Sequence, residues 1–435
     1  MGCDMVVALG RAAVDGQTLF GQNSGRPIGE KQVLCRTSGR EFAPGEKIRT
    51  QYLEVLQPRK TVAVLATRPD GWWGYCNGVN EHGVVMGCAT LQNKISCSEP
   101  GLTGGDLVRL ALERCHSARH GVDLLGELIE RHGQSCQTGS CYPAGGDNGF
   151  LVADGAEAFA VETAGHHWVY QEIQEVRAVS NVCLIHQDWD RISPGLASFA
   201  IAQGWWPRDG RKLDFAATCS DFAVGQASGL RRWGRSTLLL EQQNGHIDAP
   251  FLRRVLSDHY EGTHFEVDPN TPCAGPVPLC QHGNGPRIAW TGFSTVVQIG
   301  AKSFRLPIVW YAFGPPCVNV YFPLFLEGEL PQHYVLGNIL IRMNGLEQKF
   351  RNDPERWDSL QDGLGRLQVR FDHEAEEFAL EGASLKKQGC NFELQRLAGT
   401  FMQHTLEQFE LFLEEFDRSS RKPTTEYQEE LVSYF

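Results

Sequence analysis

The residue with the clearest potential for chemistry is a cysteine at the third position of this 435-residue chain. Removal of Met1 and Gly2 would leave a free α-amine beside the thiol of Cys3. A neutral amine can accept the thiol proton, so one residue would supply both the nucleophile and its general base. The α-amine ordinarily titrates near 7.7 to 8.0 and the thiol at about 8.5, so a modest environmental shift would make the pair usable at neutral pH. We therefore expect the mature chain to begin at Cys3.

Two other interpretations of Cys3 stay open. The first is a small buried residue that opens a strand. The second is lipidation, with myristate on Gly2 and palmitate on Cys3. Val6 stands where that lipidation motif has Ser or Thr, which weakens the second interpretation.

Two apolar runs surround this cysteine in the sequence. Residues 3–9 and 18–23 have the pattern of short strands, and Asp15-Gly16 between them is typical of a turn. We expect the pair to form a hairpin whose polar continuation closes on the amino terminus.

These features resemble the dipeptidase-type family of N-terminal-nucleophile (Ntn) cysteine hydrolases, which includes the secernins. The chain is more distantly similar to penicillin V acylases and bile salt hydrolases. The resemblance begins at Cys3 and Gly21-Gln22-Asn23 and recurs over residues 74–87, 105–113, 157–168, 278–297 and 307–325. It implies an α+β fold, a four-layer αββα sandwich. We expect this domain over residues 3–330 and a charged helical carboxy-terminal extension, docked on the core, over residues 331–435.

The resemblance also implies catalytic roles. Asn181 would donate its side-chain amide to the oxyanion of the tetrahedral intermediate, together with a backbone amide near Thr90; such a donor typically contributes about 3 to 4 kcal/mol. Arg232, with Arg231 as the alternative, would lie beside Cys3 and favour its thiolate. Without the resemblance, Asn181 would be a turn former and Arg232 a solvated residue of a helix start.

Further residues are expected to position the amino terminus or to contact the substrate. Gln22 and Asn23 would position the amino terminus, and both are expected at the substrate site with Arg26 and Thr90. Relatives commonly have an aspartate where this chain has Gly25, so the amine would lack a carboxylate to orient it.

A second departure from the family pattern is Cys88-Ala89-Thr90, where dipeptidase relatives commonly have Asn-Glu-Ala. The implied activity is hydrolysis of an amide bond in a small peptide or an acylated amine through a Cys3 thioester. A secernin-like regulatory or binding protein with weak or no peptidase activity stays open. Acyl transfer to an amine acceptor, which would use the same residues, stays open too.

The composition of the chain limits the classes of partner that it is expected to bind. The formal net charge of −12 argues against nucleic acid or an anionic membrane surface as the main partner, because both require a basic footprint. No apolar run approaches the roughly 20 residues that span a bilayer, and the start lacks a signal-peptide core. We expect a cytoplasmic protein whose 14 cysteines are reduced thiols.

No cofactor and no metal ion are predicted. Cys136 with Cys141 and Cys273 with Cys280 are the closest cysteine pairs in loop-like sequence, and a zinc site built from these four is the alternative. Neither pair has the C-x-x-C spacing common in such sites.

Helical periodicity marks two regions. Residues 105–132 predict two helices joined near residues 116–121. Residues 373–385 and 392–416 predict an amphipathic pair that either docks on the core or forms a homo-oligomer interface. His82 is expected in a turn, and His166 and His167 on opposite faces of a strand, so none of the three is given a chemical role.

Overall fold

The computed structural model describes residues 2–27, 29–95, 100–135, 147–223, 226–268, 276–283, 290–300, 304–335, 339, 342, 343, 345 and 353–420. In chain order the strands are β1 (Cys3–Ala8), β2 (Thr18–Arg26), β3 (Gln32–Thr37), β4 (Lys47–Arg49), β5 (Glu54–Leu56), β6 (Val64–Pro69), β7 (Asn77–Asn80), β8 (Val85–Thr90), β9 (Asn148–Ala153), β10 (Ala158–Ala164), β11 (His167–Ile173), β12 (Val176–Val179), β13 (Arg191–Ile192), β14 (Trp290–Ile299), β15 (Ile308–Phe313) and β16 (Phe322–Leu324).

The helices of the described chain are α1 (Gly104–Leu112), α2 (Ala118–His132), α3 (Leu196–Ala202), α4 (Phe215–Cys219), α5 (Ala227–Gln242), α6 (Ala249–Leu256), α7 (Gln332–Val335), α8 (Pro354–Lys387) and α9 (Asn391–Ser420). Among the helices in these ranges, none is long and apolar enough to cross a membrane.

Two antiparallel sheets form the centre of the molecule. The first has the strand order β12-β1-β2-β14-β15-β16, and the second has the order β13-β11-β10-β9-β8-β7-β6-β3. They pack face to face, because a Cβ added to Gly87 of β8 would lie 3.0 Å from the sulfur of Met5 and 2.9 Å from the ring of Phe20. A glycine at this point allows the sheets to approach closely.

Helices cover the outer face of each sheet. On the second sheet, α1 and α2 bury Leu107 and Leu125 in one apolar cluster with Phe150 and Phe159. On the first sheet, α6 packs on β2, where Leu256 approaches Gly21. The layer order is therefore αββα, which confirms the predicted fold class.

The carboxy-terminal helices α8 and α9 dock on the edge strand β16. Phe322 contacts Phe371 of α8 and Phe409 of α9, with ring centroids 5.9 and 5.1 Å apart. Burial of these rings fixes the helix pair on the first sheet. The domain boundary at residue 330 stays a prediction.

Two helix boundaries differ from the sequence-based expectation. The break between α1 and α2 lies at residues 113–117, not 116–121, because the Ser117 hydroxyl accepts a hydrogen bond from the backbone N–H of His120 and caps α2. Helix α8 begins at Pro354, well before residue 373, with the Asp353 side chain as its cap.

Candidate active site

Cys3 is the first residue of β1 and is half-buried. It pairs in register with Ser24 of β2, whose hydroxyl oxygen lies 3.9 Å from the Cys3 sulfur. Side chains alternate across a strand, so Cys3 and Met5 share the face toward the second sheet and Asp4 takes the opposite face. The thiol therefore lies between the sheets, and its neighbour Asp4 lies under the helices.

A buried ion pair lies on that opposite face. The Arg232 Nε of α5 donates to both carboxylate oxygens of Asp4, at 3.0 and 2.9 Å. Both side chains are about 2 to 3% exposed. Breaking such a pair would leave an uncompensated buried charge, so Arg232 and Asp4 fix α5 against β1.

Asn181 joins the amino terminus to both neighbouring elements. Its side-chain oxygen accepts hydrogen bonds from the backbone nitrogen of Cys3 at 2.8 Å and from Arg232 Nη2 at 3.0 Å. Its side-chain nitrogen donates to the carbonyl oxygen of Thr90 at 2.9 Å. The predicted residues Cys3, Asn181, Arg232 and Thr90 thus meet at one place.

The chain that follows Asn181 is held by the buried carboxylate of Glu162 on β10. One Glu162 oxygen accepts from the backbone N–H of Leu184 at 2.6 Å, and both oxygens accept from the N–H of Ile185 at 3.2 and 3.1 Å. Burial raises the pKa of Glu162 to about 7, against the lowering by these N–H groups. Glu162 therefore holds the backbone of residues 184 and 185, a few positions beyond Asn181, against β10.

Gly2 occupies a tight slot beside Cys3. It is buried, and its carbonyl oxygen accepts a hydrogen bond from Gln281 Nε2 at 3.0 Å. A Cβ on Gly2 would lie 2.6 Å from Arg232 Nη2, and a Cβ on Gly25 would lie 2.1 Å from the Gly2 oxygen. No side chain fits at position 25 while Gly2 is in place.

Gln22 and Asn23 lie on opposite faces of β2. Gln22 Nε2 donates to the carbonyl oxygen of Cys88 at 3.1 Å and so connects the two sheets. Asn23 Nδ2 donates to the carbonyl oxygens of Leu256 and Leu279, at 2.7 and 2.9 Å, on the helix-covered face. The structure thus brings Gln22 to the thiol side of the sheet and leaves Asn23 on the other side.

Arg26, at the end of β2, lies near three thiols. Its Nε forms an ion pair with Glu30 at 2.7 Å, and its Nη2 lies 3.4 Å from the Cys76 sulfur. Burial raises the pKa of Cys76 to about 11, although Arg26 lowers it, and burial raises the pKa of Cys88 well above the ordinary range. These two thiols are protonated at neutral pH and are therefore poor nucleophiles.

Sequence reasoning missed several residues that support the site, namely Asp4, Ser180, Glu162 and Gln281. Ser180 donates to Asp4 at 2.7 Å and accepts from Arg232 at 3.1 Å. A charged residue inside an apolar strand requires a buried partner, and this signal could have singled out Asp4 and Glu162. No local pattern pointed to Gln281.

The three histidines that were given no chemical role make hydrogen bonds elsewhere in the structure. The backbone N–H of His82 donates to Asn80 in the β7–β8 turn. His166 Nδ1 lies 3.1 Å from the Glu130 carbonyl oxygen, and His167 Nδ1 lies 3.3 Å from the Ser193 hydroxyl.

A separate cluster of side chains has the donor atoms of a metal site. It consists of His259, Cys280, His282 and Cys317, whose ligand atoms all lie within 4.8 Å of one another. Of the four cysteines considered from the sequence, only Cys280 is in this cluster. Cys136, Cys141 and Cys273 lie outside the described residues.

Comparison with known proteins shows what parts of this chain are similar to. The profile of Peptidase family C69 matches residues 59–218. Dipeptidase A from Lactobacillus helveticus is 28% identical over 192 residues, which cover 40% of this chain and 38% of the relative. A probable dipeptidase from Salmonella dublin is 24% identical over 315 residues, which cover 60% of this chain and 64% of the relative. These matches confirm the resemblance to dipeptidases, although each spans less than two thirds of the relative's length.

Among solved structures, the conjugated bile acid hydrolase from Clostridium perfringens, determined as a mutant, is also similar to this chain. The match has 14% sequence identity and a TM-score of 0.41, and it covers 72% of this chain and 89% of the hydrolase.

Proposed function

We propose that this chain is an N-terminal-nucleophile cysteine hydrolase that cleaves an amide bond of a small peptide or an acylated amine. The observation that carries the proposal is the hydrogen bond of 2.8 Å between the backbone nitrogen of Cys3 and Asn181 Oδ1. Once the residues before Cys3 are removed, that nitrogen becomes the α-amine. Asn181 would then orient the base beside the sulfur that it must deprotonate.

The reaction begins with attack of the Cys3 sulfur on the amide carbon, while the thiol proton passes to the α-amine. The tetrahedral intermediate carries its negative charge on oxygen, and Asn181 Nδ2 with a backbone amide near Thr90 stabilises it. The ammonium then protonates the leaving nitrogen as the carbon–nitrogen bond breaks, which leaves a thioester on Cys3. Water, deprotonated by the same amine, then attacks the thioester carbon. The carbon–sulfur bond breaks, the carboxylic acid is released, and the ammonium returns its proton to the Cys3 sulfur.

The Asn181 side chain can make enough hydrogen bonds for two roles, which are orienting the Cys3 amine and stabilising the oxyanion. Its oxygen accepts from Cys3 and Arg232, and its nitrogen has two hydrogens, one of which is donated to the Thr90 oxygen. The second hydrogen is the one assigned to the oxyanion. Arg232 acts by fixing Asn181, because its own charge is paired with Asp4.

Substrate binding is assigned to the thiol side of β2. Arg26 provides a guanidinium close to Cys3, Cys76 and Cys88, where it would bind a substrate carbonyl or carboxylate. Gln22 borders the same space between the sheets, and the exposed Thr90 ends β8 with its carbonyl oxygen bonded to Asn181. Asn23 would contribute by holding β2 in place through Leu256 and Leu279.

A second function, that of a regulatory or binding protein with the same fold, is favoured by one observation. Gly2 is buried, and its carbonyl oxygen is bonded to Gln281 at 3.0 Å. In a chain that keeps Gly2, the nitrogen of Cys3 is an amide and cannot act as a base. Acyl transfer to an amine would use the same residues as hydrolysis, with an amine in place of water.

The test combines an intact-mass spectrum of the purified protein with a panel of dipeptides and acylated amines. We expect a mass that corresponds to a chain beginning at Cys3, and product release that is lost in Cys3→Ala. The control is Cys390→Ala, which removes an exposed cysteine and should leave activity unchanged. An active protein that retains Gly2 would rule out the amine-base mechanism. A processed protein that cleaves nothing, or whose cleavage survives Cys3→Ala, would rule out the proposed hydrolase.

A further inference from the structure

Four buried or half-buried side chains from three segments meet next to the β2–α6 contact. His259 follows α6, Cys280 and His282 lie on the segment before β14, and Cys317 lies in a 3-10 turn after β15. His259, Cys280 and His282 are at most 5% exposed. Two thiols and two imidazoles are a donor set that zinc prefers.

The distances in this cluster resemble the edges of a tetrahedron around one ion. The sulfurs of Cys280 and Cys317 are 3.6 Å apart, and His282 Nε2 lies 3.3 Å from the first and 3.1 Å from the second. Zinc–sulfur and zinc–nitrogen bonds of about 2.3 and 2.0 to 2.1 Å in tetrahedral geometry give sulfur–sulfur edges of about 3.8 Å and sulfur–nitrogen edges of about 3.6 Å. These three donor atoms therefore need to move by only a few tenths of an ångström, and the donor atom of His259 lies within 4.8 Å of each of them.

The fourth side chain of the cluster, His259, is oriented by a carboxylate. His259 Nδ1 lies 3.1 Å from Glu261 Oε1, while Nε2 is buried and has no hydrogen-bond partner within the described chain. A histidine that binds a metal through one ring nitrogen usually gives its other N–H to a carboxylate in this way. An unpartnered buried ring nitrogen is otherwise costly.

We propose that His259, Cys280, His282 and Cys317 bind one Zn²⁺ ion in a structural site. The ion would be closed to substrate, because four protein ligands complete a tetrahedron and leave no position for water. Two thiolates balance the charge of Zn²⁺, so the buried site would be neutral. Binding would release the protons of both thiols to solvent, and no redox step is involved.

The position of this site connects it to the amino terminus. Leu279 accepts a hydrogen bond from Asn23 of β2, and Gln281, between the ligands Cys280 and His282, donates to the Gly2 oxygen. Zinc would therefore stabilise the position of residues 279–282, which contact both β2 and Gly2.

The first test measures metal in the full chain purified without chelator from zinc-supplemented medium. We expect about one zinc ion per chain by elemental mass spectrometry, as for a closed four-ligand site. Replacement by Co²⁺ should give the intense visible bands of a tetrahedral ion and a thiolate-to-cobalt charge-transfer band. A strong chelator should lower the melting temperature of the wild-type chain.

Variants then assign the ligands. Cys280→Ser, Cys317→Ser and His282→Asn should each lower the zinc content and weaken the charge-transfer or visible bands. The matched control is Cys115→Ser, a buried cysteine outside the cluster, which should retain both. If a ligand variant fails to fold, the wild-type zinc content and cobalt spectrum still decide the question.

Three results would overturn the proposal. The first is a reduced wild-type chain that binds neither zinc nor cobalt. The second is a Cys280–Cys317 disulfide found by mass spectrometry in the natively purified chain. The third is unchanged metal content in all three ligand variants.

Discussion

The side-chain oxygen of Asn181 lies 2.8 Å from the backbone nitrogen of Cys3, although 178 residues separate the two in sequence. The same oxygen accepts from Arg232, and the nitrogen of the same amide donates to Thr90. One neutral side chain thus connects the amino terminus, α5 and the end of β8. The proposed mechanism depends on this connection more than on any charged group near the thiol.

Replacement of Asn181 tests its role in the transition state. On an amide substrate from the activity panel, Asn181→Ala should lower kcat about 10²-fold or more, because it removes an oxyanion donor. The melting temperature should change little, since the side chain is only partly buried. The measurement is steady-state kinetics with thermal unfolding of the same samples. His82→Ala and His166→Ala are the controls, and losses of equal size in them would point to a different catalytic apparatus.

Replacement of Arg232, the partner of Asp4, tests whether Arg232 or Arg231 supports the site. Arg232→Met should lower the free energy of unfolding by about 3 to 5 kcal/mol, because Asp4 would remain buried without its partner. The matched control is Arg231→Met at the adjacent exposed position, which should change it by no more than about 0.5 kcal/mol. Urea denaturation measures both. Equal effects of the two substitutions would contradict the assignment of Arg232.

Substitution of Gly25 tests whether Gly2 occupies the slot beside Cys3. A Cβ at this position would lie 2.1 Å from the Gly2 oxygen, so Gly25→Asp should destabilise a chain that keeps Gly2 and be accepted in a chain that begins at Cys3. Thermal unfolding of the two forms of this variant measures the difference. An equal cost in both forms would show that Gly2 does not occupy the slot in solution.

The same substitution tests the base. In the chain that begins at Cys3, an aspartate within roughly 4 to 6 Å of the α-amine would raise the amine pKa by about one unit or more. The acidic limb of the kcat/KM profile should therefore move to higher pH, since that limb reports the free enzyme's base. Gly25→Asn has nearly the same size without the charge and should leave the limb in place. A shift of equal size in both variants, or in neither, would contradict an amine base beside position 25.

The raised pKa of Glu162 predicts that the stability of the folded chain depends on pH. Its pKa in the folded chain is raised from 4.5 to about 7. Between pH 4.5 and about 7, the folded chain therefore keeps the Glu162 proton while the unfolded chain has lost it. The contribution of Glu162 to the free energy of unfolding is complete below about pH 4.5 and is lost as the pH rises through about 7. Glu162→Gln should make the fall in the free energy of unfolding over this range shallower. Denaturant titrations at several pH values measure it, with Glu127→Gln at an exposed position of α2 as the control. An unchanged slope would mean that Glu162 is already ionised in the folded chain.

The sequence by itself predicted the local elements and singled out Cys3 as the candidate nucleophile. The apolar runs at the start gave β1 and β2, the helical periodicity of residues 105–132 gave two helices, and both signals are local because they reflect burial of one face. The layer order and the roles of Asn181 and Arg232 came from family resemblance, which can relate residues that are far apart in the sequence, as periodicity cannot.

Only the tertiary structure decided how the distant segments meet. The order β12-β1-β2-β14 puts β12, and with it Asn181, beside Cys3, and no local pattern specifies such non-consecutive neighbours. The same order leaves Asn23 on the helix-covered face, since alternate residues of a strand point to opposite sides. The cluster of His259, Cys280, His282 and Cys317 has no short spacing motif, because its side chains come from three segments that are brought together by packing of β14 and the 3-10 turn after β15 against α6.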